Sequence, residues 1–254
     1  MRDELVVLRR QRLRERGRVN DAGALPAFAE HGPSPRDRRG ALSRCARCGM
    51  HVHLCLCAEL RPLALATRVV VVRTAREGPQ PTNTGRLVPL ALAGGEVRTR
   101  EGHGAPLPGP DLRDSARRTL LLFPAPGSRE LARDEADPRP VTLVVPDGTW
   151  RAARRMEARE PALAELARVH LPSGPPSRYR LRSHPDRACL ATFEAVARAL
   201  GILEGPEVRA HLEHLFTLFV ERTLFSRGRL RAGQVTGGVA TKERGTAGAT
   251  GDCG

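Results

Sequence analysis

The chain has 254 residues, 40% of them apolar and 28% charged, with a net charge of +14. That length and apolar content suit one sizeable domain with a small module attached, and no apolar run reaches 18 residues, which excludes a membrane-spanning helix. A field of this sign attracts polyanions and points first to nucleic acid. The chain also holds one Lys, one Ile, one Tyr and two Asn against abundant Arg, Ala, Gly and Pro, so a basic surface shaped by GC-rich codons is the plainer alternative.

The opening stretch, MRDELVVLRRQRLRERGR, scatters charge through a short apolar patch and lacks the unbroken apolar core of a secretory signal;. A cytoplasmic protein is expected, with a short amphipathic helix over 2–16. Residues 20–41 read as a linker rich in Gly, Pro and charge. Four of the six cysteines then crowd between Cys45 and Cys57. Beyond them TRVVVVR, RTLLLFP and VTLVVP are short apolar runs that predict buried strands, with ARVHL as a fourth. NTGRLVPLALAGG predicts a helix whose length Pro89 leaves open. A short helix is expected near 128–133, another over 150–166 broken at Pro161, and a third over LATFEAVARALG. A last helix starts at Pro206, a favoured first-turn proline. The tail after Arg231 has no apolar period and predicts disorder. Apolar strands alternating with helices give an α/β class with a mostly parallel sheet and helices on both faces.

Three stretches carry chemistry besides the cysteines. CARCGMHVHLCLC spaces its ligands Cys-x2-Cys, six residues, Cys-x-Cys. Four thiolates this close suit one tetrahedral Zn²⁺ in a closed, structural shell; His51 or His53 replacing a thiolate, an iron–sulfur cluster and plain reduced thiols stay open. In VTLVVPDGTW, Asp147 stands at a strand's carboxyl end, where open α/β sheets bind ligands, and Gly148 lets backbone approach closely. The plainer reading has Asp147 or Thr149 capping the next helix and Trp150, the single indole, anchoring the core. REGPQPTNTGRL places Glu77, Asn83, Thr84, Gly85 and Arg86 at another strand's carboxyl end, or in a turn and cap. SRYRLRSHPDRACLATFEA sets Tyr179 and Arg182 beside a helix start at Thr192; arginine forks suit carboxylate or phosphate, and a solvated basic loop is the alternative.

Together these stretches resemble the DTW-domain family of tRNA-uridine aminocarboxypropyltransferases, distant relatives of the SPOUT RNA methyltransferases. The resemblance rests on Asp147-Gly148-Thr149-Trp150, the cysteine knuckle, Glu77 with Pro81 to Leu87, Leu122-Phe123-Pro124, and Tyr179 and Arg182 followed by Leu190, Thr192, Glu194 and Ala195, in the right order over roughly residues 44–228. It implies a SPOUT-like fold with a knotted pocket for S-adenosyl-L-methionine. It also implies transfer of that molecule's 3-amino-3-carboxypropyl group to N3 of a uridine in tRNA, with methylthioadenosine released. Domains are expected as an N-terminal helix and linker at 1–43, a four-cysteine zinc knuckle of Cys45, Cys48, Cys55 and Cys57 at 44–62, a DTW catalytic domain at 63–230 and a disordered tail at 231–254.

By the same resemblance Asp147, Thr149, Trp150 and Glu77 are catalytic candidates. Asp147 takes the N3 proton or pairs with the ammonium of the transferred group, Trp150 shields the pocket or stacks near the nucleoside, and the role of Glu77 is open. Arg182 or Arg86 holds the substrate carboxylate. Asn83, Thr84, Gly85, Gly148, Tyr179 and Thr192 join them around the donor, with the backbone of Leu122, Phe123 and Pro124 framing adenosine. The partners expected are tRNA, no membrane and no further protein. Rival readings are an aminocarboxypropyltransferase of ribosomal RNA, a SPOUT-type methyltransferase, and a non-catalytic zinc-knuckle RNA-binding protein.

Overall fold

The computed structural model describes residues 44–101, 107, 112–134, 136–182 and 189–239. The expected helix at 2–16, the linker at 20–41 and the chain beyond 239 lie outside the described residues. Strand β1 (Arg68–Thr74) leads through a 3-10 turn at Gly85–Leu87 into helix α1 (Val88–Ala91) and strand β2 (Gly95–Arg100). Strands β3 (Arg118–Leu122), β4 (Arg129–Glu130) and β5 (Val141–Asp147) follow. Helices α2 (Trp150–Arg159) and α3 (Pro161–Ala164) lead to strand β6 (Ala167–His170), and helices α4 (Thr192–Leu203) and α5 (Pro206–Ser226) come last. The sheet runs β2-β1-β5-β3-β6-β4, every pairing parallel.

Strand periodicity divides the core in two. Val69 and Val71 of β1, Leu120 and Leu122 of β3, and Leu143 and Val145 of β5 pack on one face with α4 and α5. Val70, Val72, Leu121 and Val144 pack on the other with Ala153 and Met156 of α2 and Leu163 of α3. Both faces being covered is why these strands read as unbroken apolar runs. The knuckle is part of this structure: Cys48, Met50, Leu54 and Leu56 are buried in the α4–α5 face. Among the described residues no helix is long and apolar enough to cross a membrane.

Four local expectations are corrected. β2, sequence GEVRTR, escapes the apolar pattern because it is a charged edge strand. Its Arg98 is buried against Glu96 at 2.7 Å, the kind of charge that blunts a sheet edge;. The helix expected near 128–133 is instead the two-residue β4, which follows a turn at Gly127 (φ +80°) and pairs with β6. The helix read from NTGRLVPLALAGG splits into the 3-10 turn and α1, with Pro89 in the first turn of the latter;. The tail is ordered as far as it is described: a 3-10 turn covers Ala232–Gln234 and Val235 is buried. The break at Pro161 falls as expected, between α2 and α3.

Candidate functional site

Because every described strand is parallel, all the carboxyl ends share one edge. From there β1 continues through α1 on one face toward β2, while β5 continues through α2 and α3 on the other face toward β6. The chain thus leaves two adjacent strands in opposite directions, which makes this the switch point at whose crevice α/β sheets bind ligands;. Asp147, the last residue of β5, pairs in register with Arg73 of β1 at this point.

The Asp147 side chain falls on the face of Val145, toward α4, and is 3% exposed. Asn83 donates to Oδ2 and Thr192 to Oδ1, each at 2.5 Å. Asn83 Oδ1 in turn accepts from the Arg86 backbone N–H at 3.1 Å, and Thr84 Oγ1 accepts from the Phe193 N–H at 3.2 Å. Gly85 makes room for the carboxylate: a Cβ there would stand 2.8 Å from Asp147 Oδ2. Asp147 therefore ties the loop after β1 to the start of α4. It thereby acts as a clamp between the two elements, beside the roles the sequence left to it, taking the N3 proton or pairing with the ammonium of the transferred group.

The free acid of the crevice is Glu77. Its Oε2 is buried without a hydrogen-bond partner, and it forms an ion pair with Arg182 Nη2 at 3.7 Å. Arg182 Nε donates to Thr82 Oγ1 at 2.9 Å, and the Tyr179 hydroxyl donates to the Thr82 carbonyl at 2.7 Å. Burial raises the Tyr179 phenol pKa, which keeps it a neutral donor. The loop bearing Tyr179 and Arg182 is pinned by buried Glu194, which accepts from Ser177 Oγ at 2.6 Å and the Arg178 N–H at 3.0 Å. Gly148, at φ +147°, passes beneath Glu77; a Cβ there would lie 3.4 Å from Glu77 Cγ and from Ala152 Cβ. Thr82 is the site residue that sequence reasoning misses, although it stands inside the Pro81–Leu87 motif.

Other candidates are placed elsewhere. Thr149 is the N-cap of α2, its Oγ1 accepting from the Ala152 N–H at 3.2 Å. Trp150 lies across the sheet from the Asp147 carboxylate and packs on Phe123, centroids 5.8 Å apart, at the margin of the α2–α3 core. Strand period sends Asp147 to one face, and the turn at Gly148 sends Trp150 to the other, against the core where the plainer reading put it. Leu122 and Phe123 are buried on opposite faces, and Pro124 is exposed. Arg86 turns to the knuckle. Its guanidinium lies 5.3 Å from the Phe219 ring centroid, and its Nη2 is 4.0 Å from Met50 Sδ. Burial lowers its pKa. Gly49, at φ +68°, has a left-handed backbone that favours glycine, and a Cβ there would also push against Arg86 Nη1 at 2.5 Å;. That leaves Arg182 as the described arginine facing the crevice acid.

In the knuckle the four Sγ atoms of Cys45, Cys48, Cys55 and Cys57 lie within 4.8 Å of one another. The pairs Cys45–Cys57 and Cys48–Cys55 are 3.7 and 3.6 Å apart. A tetrahedron with Zn–S bonds of about 2.3 Å has edges of about 3.8 Å, so the sulfurs fit such an ion. Burial disfavours the Cys45 thiolate, yet the backbone N–H groups of Cys48 and Arg47 outweigh it and bring that thiol down to about 7. Burial pushes Cys55 up to about 11 and raises Cys57 as well. Further thiolates beside the first are thus opposed, and a divalent cation removes that opposition. His51 and His53 stack on each other at 5.9 Å outside the sulfur set. Arg222 fastens the knuckle to α5, donating to the Cys55 carbonyl at 2.6 Å.

A doubly wound α/β protein, with acids gathered at its switch point and a four-cysteine knuckle that could hold a metal ion sharing its core, is the class these features define. The chain belongs to the DTW domain family, whose model matches residues 42–224. It is similar to the tRNA-uridine aminocarboxypropyltransferase 2 of Drosophila melanogaster, 33% identical over 186 residues that cover 70% of this chain and 72% of the fly protein. The protein of the same name from Macaca fascicularis is 28% identical over 206 residues, covering 75% of this chain and 68% of the relative. The tRNA-uridine aminocarboxypropyltransferase A of Arabidopsis thaliana is 29% identical over 209 residues, covering 66% and 76%. No solved structure gives a significant match.

Proposed function

We propose that this chain transfers the 3-amino-3-carboxypropyl group of S-adenosylmethionine to N3 of a uridine in tRNA, releasing methylthioadenosine. The observation that carries the reading is the Glu77–Arg182 pair. In a chain whose relatives are named for aminocarboxypropyl transfer, it offers one partly buried anion and one cation, 3.7 Å apart, at a sheet's switch point. The transferred group is an amino acid, with one ammonium and one carboxylate. Arg182 is suited to the carboxylate as a planar fork, and Glu77 Oε2, which lacks a hydrogen bond, to the ammonium. The donor supplies a methylene carbon activated by its sulfonium; a C–N bond forms there as the C–S bond breaks, and the uridine loses its N3 proton.

The chain's task is placement, and near-attack geometry alone contributes up to roughly 7–11 kcal/mol in ideal cases. Asp147 holds Asn83 and Thr192 in position, Gly148 leaves space beneath Glu77, and Thr192 with the backbone of Leu122, Phe123 and Pro124 frames the adenosine. Tyr179 and Thr82 set the angle of Arg182. The parallel sheet, with late loops folded over its carboxyl edge, supports a SPOUT-like pocket; the knot and a resident zinc in the knuckle are parts of the same proposal. The relatives' names favour tRNA over ribosomal RNA as substrate.

Incubation with tRNA and S-adenosylmethionine, followed by nucleoside mass spectrometry, is expected to show an aminocarboxypropyl adduct of uridine. A methyl adduct, or no adduct together with no thermal stabilisation by S-adenosylmethionine, overturns the reading. Glu77→Gln and Arg182→Ala are each expected to raise KM for S-adenosylmethionine about 10- to 100-fold, the loss of one charge-assisted hydrogen bond, with tRNA affinity unchanged. Unaltered KM in both variants removes the pair from donor binding.

A further inference from the structure

A hollow of about 600 Å³ opens on the α2 side of the same sheet edge. Its floor is apolar, formed by Ala75, Ala152 and buried Met156, and its rim sets Arg76, Arg155 and Arg159 against one acid, Glu101. The rim's fourth arginine, Arg100, is committed to buried Glu160 at 2.9 Å. Arg76, Arg155 and Arg159 are exposed and have no ion pair or hydrogen bond among the described residues, although Arg68, Arg118, Arg168, Arg198 and Arg209 all have carboxylate partners. The one acid of α2, Glu157, is taken by Arg168 at 2.6 Å.

The charge at the start of α2 runs against what stabilises a helix. Its first turn holds no acid, although anions are favoured at that end of the macrodipole by about 0.3–1 kcal/mol each. Instead Arg151, Arg154, Arg155 and Arg159 are spread along its exposed side. Arg159 suits the carboxyl end of the helix;, and the rest of the ridge, without carboxylate partners among the described residues, matches an anionic ligand carrying a flat apolar part. The volume exceeds what a phosphate needs and falls in the range of roughly 300–1,000 Å³ that holds nucleoside-sized ligands. The arginines continue past the hollow to Arg151 and Arg154, which suits a polymer more than a single nucleotide.

The hollow also adjoins the crevice. Arg76 follows Ala75 and precedes Glu77 in one turn, closed by the Glu77 N–H donating to the Thr74 carbonyl at 3.0 Å. Ala152 lines the hollow and faces Gly148 across the wall between the two. Building on the function proposed above, we propose that this hollow seats a nucleotide of the tRNA neighbouring the modified uridine. Its nucleoside rests on Ala75, Ala152 and Met156, and its flanking phosphates lie on Arg76, Arg155 and Arg159, so that the strand is held while the target base reaches past Gly148.

The test measures binding of an unmodified tRNA transcript over a salt series, for the wild-type chain and for the triple variant Arg76→Ala, Arg155→Glu, Arg159→Glu. Folding and donor binding are followed by thermal melting with and without S-adenosylmethionine. The variant is expected to keep its melting temperature and its stabilisation by the donor. It should bind tRNA at least about tenfold more weakly near physiological salt, with a log Kd–log salt slope reduced by about 2–3, near 0.7–0.9 per lost phosphate contact. Equal affinity and slope in the two proteins overturn the proposal, as does a wild-type chain that binds no tRNA. A wild-type chain that binds tRNA but forms no aminocarboxypropyl product defeats the functional reading alone, because the binding comparison stands without turnover.

Discussion

Asp147→Ala is expected to abolish turnover and Asp147→Asn to spare a measurable part of it. The alanine leaves two buried donors, Asn83 Nδ2 and Thr192 Oγ1, without their acceptor. Losing hydrogen bonds to a buried charge costs about 2–5 kcal/mol in total, which in a domain of this size lowers Tm by about 5–15 °C. The loop after β1 and the start of α4 then part, carrying Glu77 and Thr192 out of register. Asparagine keeps the shape: its carbonyl accepts from Asn83 while its amide donates to the Thr192 hydroxyl. The charge is lost and the tie survives. Thermal melts with and without S-adenosylmethionine, beside product formation from tRNA, check this. If the asparagine variant folds, binds the donor and is as inactive as the alanine variant, the carboxylate acts on the reaction itself and the clamp account of Asp147 is wrong.

The contrast between those two variants follows from what the sequence could and could not convey about this site. The strand VTLVVP and the bend after it were legible because β-branched apolar runs have few other uses, and the acid's place at a carboxyl end came with them. Its direction did not. Strand alternation puts Asp147 with Val145, while the helix phase of Trp150 depends on how α2 settles on Phe123, a tertiary fact. Arg86 misled for the same reason. Three residues from Asn83 in sequence, it leaves the 3-10 turn on the side of Phe219 and Gly49. Strands β2 and β4 were invisible because edge strands need no apolar run: β2 carries two arginines and a glutamate in six residues. The arginines around the hollow were present but masked by composition. In a chain so rich in arginine, their place around the hollow, with no partner among the described residues, sets Arg76, Arg155 and Arg159 apart.

Removing the zinc proposed for the knuckle is expected to disable a site that contains none of the knuckle's cysteines. The structure links the two physically. Gly49 leaves room for the Arg86 side chain and Met50 contacts it, the Arg86 N–H holds Asn83, and Asn83 holds Asp147. The knuckle itself is closed by two turns, Gly49 N–H to the Cys45 carbonyl and Cys45 N–H to the Met50 carbonyl, both at 2.8 Å. It presents Cys48, Met50, Leu54 and Leu56 to the core under α5. Without a cation only the first thiolate is favoured, and weak thiol contacts alone join Cys45 to Cys57 and Cys48 to Cys55, so the apolar backing loses most of its frame. A structural Zn²⁺ contributes about 10–16 kcal/mol in isolated zinc-finger peptides; here the core retains part of the shape, and a fall in Tm of more than about 10 °C is expected on chelation. Elemental analysis should find one zinc per chain, lost in Cys48→Ser and Cys57→Ser and kept in Cys189→Ser, whose thiol lies outside the cluster. Stabilisation by S-adenosylmethionine should vanish with the metal and return when zinc is restored. A chain that holds no metal, or that keeps its Tm and its donor binding after chelation, shows that the four sulfurs meet for packing alone and that Arg86 transmits nothing from them to Asp147.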